Sequence, residues 1–475
     1  MSIFHYIFIG LEVVLLFNLL IAVHELGHFL AAKWRGLKID RFAIWFGKPI
    51  WKAKINGIEY ALGWIPAGGY VALPQMATME AIEGKSETPV EQLPNVAPLD
   101  KIIVAFAGPL FSFLLAVFFA FIVWQVGKPT FSSANSTQIG WVQPDGPAAL
   151  AGLQPGDVIL SIDGHPVKSF LPTGFVYDSI KWRVITSTGT NIAVKYTRDG
   201  KEMPVAYLVP TNLPTPWYER QSLRQILVDG ASPALISQIA SNSPADRAGL
   251  KEGDEIVALD GQKIYSPDAI NYAEMMMSNG PVKPMMLTVR RGSGEFEKSL
   301  TPERPLEPTN TPPLLGIVEW EDQTNVLLVH PNPLDQIQTS IGQIVATVQA
   351  ITSPKSHVGV QQLGGAVMIA RVYYNLFQDK DGWRQVLWFS VVLNVNLALL
   401  NMLPLPVLDG GHILLSLLEI FRRRPISARL LNNIQTGFAA LLIVFMLYIA
   451  FFDTSDWIHS ASGNSDQPII FAPAK

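Results

Sequence analysis

The chain has 475 residues, too many for one ordinary domain. It is 49% hydrophobic and 16% charged, well below the roughly 25% charged residues of soluble domains, so membrane segments are expected. A net charge of −4 gives no reason to expect a nucleic-acid partner. With no cysteine, the sequence excludes disulfides, thiolate metal ligands and a cysteine nucleophile.

A bilayer core of about 30 Å is crossed by about 20 apolar residues, and four stretches qualify. The first, from about Tyr6 to Ala32, lies in segment 1–35. No Lys or Arg precedes Lys33, and Glu12 interrupts the run, so a retained span is expected rather than a cleaved signal. Segment 36–100 reads as a cytoplasmic and membrane re-entrant β region. Within it, Asn56-Gly57 is a hairpin signal in the stretch Trp51–Gln75, and Gly68-Gly69 before Tyr70 marks a bulge or close backbone approach. This region is apolar for a water-exposed loop, so it is expected to dip into the membrane, shielded by the spans. The second span is Ile102–Trp124, within 101–126.

A long segment follows, and it contains an internal repeat. "AGLQPGDVILSIDG" (Ala151–Gly164) returns as "AGLKEGDEIVALDG" (Ala248–Gly261). Two small α+β domains are therefore expected, at 127–222 and 223–308. The block resembles PDZ domains of the bacterial type. Segment 309–383 is membrane-proximal, with one amphipathic helix over Pro333–Ile351. The third span, 384–408, carries Asn394, Asn396 and Asn401, and Pro404 and Pro406 near its end. A loop at 409–429, a fourth span at 430–453 and a polar tail at 454–475 complete the chain.

Orientation follows from basic residues. Lys33, Arg35, Lys38, Arg41, Lys48, Lys52 and Lys54 follow the first span, and Arg422, Arg423, Arg424 and Arg429 lie between the third and fourth. Both segments are expected in the cytoplasm, which puts the termini and the repeats outside. The fold class is thus a polytopic α-helical membrane protein with four transmembrane helices, a membrane-associated β-hairpin region and two extracytoplasmic PDZ-like domains.

The chemistry concentrates in "HELGH". On a helix, His24 and His28 share one face and can reach one metal ion. Zinc suits imidazole ligands, and Glu25 stands ready as a general base. The alternative is a set of ordinary exposed helical side chains. Ionisable groups at membrane depth cost about 3 kcal/mol each on insertion scales and are usually functional. A third ligand is required, and no metzincin extension follows His28. Asp409, in "NMLPLPVLDGGHILL", lies where the third span reaches the side of His24 and His28. Asp40 is a nearer alternative, and His412 a further neighbour.

A membrane-embedded HELGH, a distant LDG, an AGP at the head of the second span and PDZ-like repeats between spans two and three resemble the site-2 protease family of intramembrane zinc metalloproteases. The likeness is strongest to its sigma-E-regulating bacterial branch. It implies zinc held by His24, His28 and Asp409, Glu25 as the catalytic residue, and Asn396 and Asn401 in substrate handling. The family usually carries Asn where this chain has Ser112, which puts a polar role at that position in doubt. The implied activity is hydrolysis of peptide bonds inside transmembrane segments of single-span proteins in the bacterial inner membrane. An anti-sigma factor already cut on the periplasmic side is the implied partner.

A substrate helix hides its carbonyls in its own hydrogen bonds and must unwind before attack. The β region, at Gly68, Gly69 and Tyr70, offers an edge for an extended strand. Asn396 and Asn401 can bond the exposed backbone, or instead bond neighbouring helices. Pro404 and Pro406 free backbone groups beside Asp409, which is tolerable where they line a cavity. Two other readings compete: a non-catalytic PDZ scaffold, against which the intact Glu25 argues, and a metal transporter, for whose path the outer half of the first span offers only Glu12 and Asn18.

Overall fold

The computed structural model describes residues 3–76, 96–131, 136–170, 178–309, 311–320, 326–354, 356–379, 381–423, 428–463 and 468–473. Arg424, one of the charges used above for orientation, lies outside them. The chain divides into two compact units, one of residues 1–128, 329–344 and 363–454, the other of 129–328, 345–362 and 455–475.

Helix α1 (Ile3–Arg35) is one long apolar run. It stops at Gly36, whose φ of 75° suits the left-handed turn after a helix, and Lys33 and Arg35 in its last turn complement the helix dipole. A four-stranded sheet follows: β1 (Arg41–Phe46), β2 (Trp51–Ile55), β3 (Ile58–Leu62) and β4 (Ile65–Ala72), ordered β2-β3-β1-β4. Asn56 and Gly57 make the expected β2–β3 turn, both with positive φ. The region is more than a hairpin, because β1 inserts parallel to β3 and antiparallel to β4. Its short run "RFAIWF" lacks alternation, and its partners lie beyond a local turn, so the sequence did not announce it. Pairing jumps from Ile44↔Gly69 to Phe46↔Ile65, so extra residues bulge on β4 around Gly68. Gly68 has φ 76°, and a Cβ there would fall 1.9 Å from the Phe46 ring. The bulge also turns out Trp45, whose indole N–H donates to the Asn18 side chain of α1.

Helix α2 (Pro98–Val126) begins earlier than the sequence suggested, because Pro98 sits in its first turn, where a missing N–H costs nothing.

The second unit contains both repeats. The first has β5 (Ile139–Val142), β6 (Val158–Ile162), α3 (Ile180–Thr186), β7 (Ile192–Arg198) and β8 (Val228–Gly230). The second has β9 (Ala234–Ile239), β10 (Glu255–Leu259), α4 (Asp268–Met276), β11 (Met285–Arg291), β12 (Gly294–Leu300) and β13 (Ile317–Trp320). The repeated "GD" explains the likeness physically. Asp157 accepts from Arg198 at 2.7 and 2.8 Å, and Asp254 from Arg291 at 2.6 and 2.7 Å. Each arginine also reaches a glycine carbonyl, Gly152 or Gly249. The expected boundaries need correction. Ile226 and Val228 belong to the first core and Leu315 to the second, past residues 222 and 308. In each repeat the closing strand returns to pair with the opening one, β8 with β5 and β13 with β9. Sequence spacing does not reveal such long-range pairs.

The chain then forms α5 (Pro333–Thr352), α6 (Ala366–Gln378), α7 (Gly382–Asn401), α8 (Asp409–Arg422) and α9 (Ala428–Gly463). Two helices, not one, precede the third span. That span ends at Asn401 rather than 408, since a proline at 404 disfavours helical backbone before it. The fourth helix runs well past 453. Among the described residues, four helices are long and apolar enough to cross a membrane: α1, α2, α7 and α9. Side chains of α1, α2, α5 and α7 share one core around Leu20, Ala116, Ala120, Ile337 and Val395. Asp453 of α9 accepts from the Gly365 and Met368 amides at 3.0 and 3.1 Å, tying α9 to the start of α6.

Candidate metal centre

Two helices supply the ligands. Helix α1 turns His24 and His28 to one side, and α8 begins with Asp409. His24 Nε2 lies 3.3 Å from Asp409 Oδ2, His28 Nε2 3.3 Å from Asp409 Oδ1, and the two Nε2 atoms 3.3 Å from each other. Zinc ligands at about 2.0–2.1 Å in tetrahedral geometry stand about 3.3–3.4 Å apart. The two imidazole nitrogens and the Asp409 carboxylate, which turns one oxygen to each of them, therefore stand at the spacing of zinc ligands. They are the group among the described residues able to hold a metal ion.

The neighbouring contacts set the imidazole tautomers. His28 Nδ1 lies 2.8 Å from the Val104 carbonyl, which can only accept, so Nδ1 carries the proton and Nε2 keeps its lone pair. His24 Nδ1 meets the Ser112 hydroxyl at 3.0 Å, and Ser112 is fully buried. The polar role doubted for Ser112 is thus present: a serine reaches the ring.

Glycines make the approach close enough. A Cβ on Gly27 would fall 2.4 Å from the Ala107 carbonyl oxygen, and one on Gly108 would fall 2.2 Å from His28 Nε2. The glycine of HELGH and the AGP glycine therefore let α1 and α2 touch beside the metal ligands. A Cβ on Gly410 would meet the Met402 carbonyl oxygen at 2.3 Å, and one on Gly411 the Leu405 carbonyl oxygen at 2.0 Å. These two glycines let the 402–408 turn fold onto the first turn of α8, which carries Asp409 to the histidines.

A cavity of about 400 Å³ opens on the three ligands. Glu25, Gly68, Gly69, Tyr70, Asn401 and His412 also line it. A Cβ on Gly69 would stand 3.3 Å from Glu25 Cγ, so β4 passes directly by the carboxylate. Asn401 Nδ2 lies 3.4 Å from His24 Nε2. Asn396 sits outside the lining, with a buried Oδ1 that finds no partner among the described residues. Asn394 donates to the Ser390 carbonyl within its own helix. Pro404 and Pro406 shape the turn before α8, outside the lining, and the Pro406 carbonyl accepts from Gln435 of α9 at 3.4 Å. Asp40 stays at the sheet, its backbone bonded to Ala72 and Glu59, apart from the ligand group. The sequence reading passed over Val104 as a partner of His28, and it gave no role to Gly27, Gly108, Gly410 or Gly411. Small residues next to each motif were the only signal.

A His-Glu-x-x-His helix joined by a distant Asp, among helices able to cross a membrane, defines a membrane-embedded zinc metalloprotease. The chain belongs to peptidase family M50, whose model matches residues 12–445. It is an M50 enzyme of the site-2 type, and a multi-pass membrane protein. It is similar to the Regulator of sigma E protease of Haemophilus influenzae, 29% identical over 459 residues, covering 91% of this chain and 96% of that one. It is also similar to the Regulator of sigma-E protease RseP of Salmonella typhimurium, 25% identical over 481 residues, covering 92% and 96%.

Proposed function

We propose that the chain cuts single-span membrane proteins inside their transmembrane segments, with His24, His28 and Asp409 as the zinc ligands and Glu25 as the general base. The observation that carries this is the cluster of His24, His28 and Asp409, with 3.3 Å between neighbouring ligand atoms, opening beside Glu25 on a cavity bordered by an edge strand.

Zinc bound there supplies a Lewis acid that brings the pKa of water toward about 7. Glu25 takes the proton of the attacking water and returns it to the leaving nitrogen. The Val104 carbonyl holds His28 in the tautomer that leaves Nε2 free, and the Ser112 hydroxyl can accept from the Nδ1–H of His24 when its Nε2 is a ligand. Strand β4 ends the sheet order, so its outer edge accepts an unwound substrate strand through backbone hydrogen bonds. The bulge at Gly68 and the bare Gly69 let that strand run close to Glu25, and Asn401 faces the same space. Asn396, Pro404 and Pro406 act on substrate through the backbone they shape or meet on α7 and its following turn.

The proposed setting is the bacterial inner membrane, with the site near the cytoplasmic face and the two repeats, which are PDZ-like, in the periplasm. The likeness to regulators of sigma-E proteolysis supports an anti-sigma factor as substrate, after a first periplasmic cut. In this reading the repeats screen what reaches the site. The test is Glu25→Gln. The variant should keep one zinc per chain and lose cleavage of a truncated single-span substrate by about 10²–10⁴-fold. It should also trap that substrate. Cleavage at the normal rate would sink the mechanism.

A further inference from the structure

The two repeats share a loop that comes shortly before the closing strand. In the first it is residues 211–225, whose ends are joined as Thr211 and Gln225 exchange backbone bonds at 2.9 Å. In the second it is residues 303–314, joined the same way by Glu303 and Leu314 at 3.0 and 2.9 Å. What meets each loop differs. The chain's own tail covers the second: the Leu306 amide donates to the Ile470 carbonyl at 2.7 Å, the Ile470 amide donates to the Glu307 carbonyl at 3.0 Å, and Phe471 is buried. The first loop meets the far end of α9 instead.

The first loop is stiff. Pro214 and Pro216 fix their own φ angles, and the Glu219 amide donates to the Pro216 carbonyl at 3.1 Å, closing a turn that carries Trp217 and Tyr218. Their rings meet edge to face, 5.7 Å between centroids. The Leu213 amide donates to Ser222 Oγ at 3.1 Å and braces the two arms. Beside the turn, Arg220 Nε forms an ion pair with Asp456 Oδ2 of α9 at 2.6 Å, and the Gln221 carbonyl accepts from the Gln362 side chain at 2.8 Å. Asp456 lies in the last turn of the apolar run 433–458 of α9, next to Trp457 and Ile458, which are both exposed. The turn is thus fixed at the level where α9 leaves the hydrocarbon layer. Yet Trp217, on that turn, is 85% exposed, and its indole N–H has no hydrogen-bond partner among the described residues.

We propose that the loop 211–225 docks on the bilayer surface where α9 emerges, with Trp217 in the lipid headgroup layer, and so holds the first repeat against the membrane. An indole has an apolar body and one N–H, which suits the boundary where lipid tails meet water. The Arg220–Asp456 pair belongs at the same depth, because charges are costly in the hydrocarbon core and cheap at its edge. The second repeat shows the alternative solution: its matching loop is covered by the tail, and it presents no such tryptophan. The proposal rests on α9 crossing the membrane and not on which bond is cut, so it stands or falls apart from the cleavage reaction.

The test uses the full chain in phosphatidylcholine nanodiscs, one chain per disc. The chain has no cysteine, so Pro216→Cys takes a single nitroxide label beside Trp217. Collisions with oxygen, which concentrates in lipid, are compared with collisions with a nickel chelate, which stays in water. Oxygen should dominate at position 216. Adding Trp217→Glu should reverse the preference, which also shows that the label is not what enters the lipid. Adding Trp217→Tyr should keep it, since tyrosine suits the same layer and an exposed site tolerates either side chain. Three results would overturn the proposal. Nickel dominance without a change at Trp217 would place the turn in water. Protection from both reagents would mean that protein covers it. An oxygen preference that survives Trp217→Glu would mean that Trp217 does not dock it.

Discussion

Replacing Ser112 by alanine removes the hydroxyl that meets His24 Nδ1 at 3.0 Å, and leaves everything else at the centre in place. His24 is 7% exposed and Ser112 fully buried, so bulk water does not substitute, and the space freed by one oxygen is too small for a water molecule. The ring then holds an unsatisfied buried N–H, at a cost of about 1–3 kcal/mol. Loss of such an outer partner lowers metal affinity about 10–100-fold, or about 1.4–2.7 kcal/mol, in agreement with that cost. Competition with a zinc chelator measures it directly on the purified protein. Ser112→Asn, which restores an acceptor, should recover most of the affinity. A Ser112→Ala protein that binds zinc within about twofold of the parent would show that Ser112 does not orient the ring, and the tautomer argument would fall.

Gly108→Ala should lose zinc more completely than Ser112→Ala, because its Cβ would lie 2.2 Å from His28 Nε2 and displace the ligand; metal content after dialysis reads this. Asp409→Asn should lose zinc and cleavage together, and retained zinc would mean the ligand set is misassigned. In the second repeat, burial raises the Glu274 carboxyl from its ordinary value to about 7, opposed by the Leu315 amide bond. A raised folded pKa means the stabilising contribution is complete below about 4.5 and is lost as pH rises through 7. Hydrogen-exchange protection in β9 and β13 of the full chain, corrected for the intrinsic rise of exchange with pH, should therefore fall between pH 5 and 8. The change should be worth up to about 3 kcal/mol, and Glu274→Gln should flatten it.

Much was readable directly. The four apolar runs, the HELGH and LDG motifs, the Asn56-Gly57 turn and the doubled "GD" block each depend on residues close in sequence, where periodicity and local turn chemistry speak plainly. Distant partners were hidden. Strand β1 has no local turn to announce it, and β8 and β13 close their domains by pairing back across most of each repeat. Ser112 looked like a lost asparagine because its target, His24, lies on another helix. The sequence alone determined that Asp409 is a metal-ligand candidate. Only the tertiary structure decided that it meets His24 and His28 at 3.3 Å while Asp40 stays at the sheet. The reason is steric: the glycines at 27, 108, 410 and 411 permit the backbone contacts that bring these segments together, and no spacing along the chain encodes which carbonyl each one will touch.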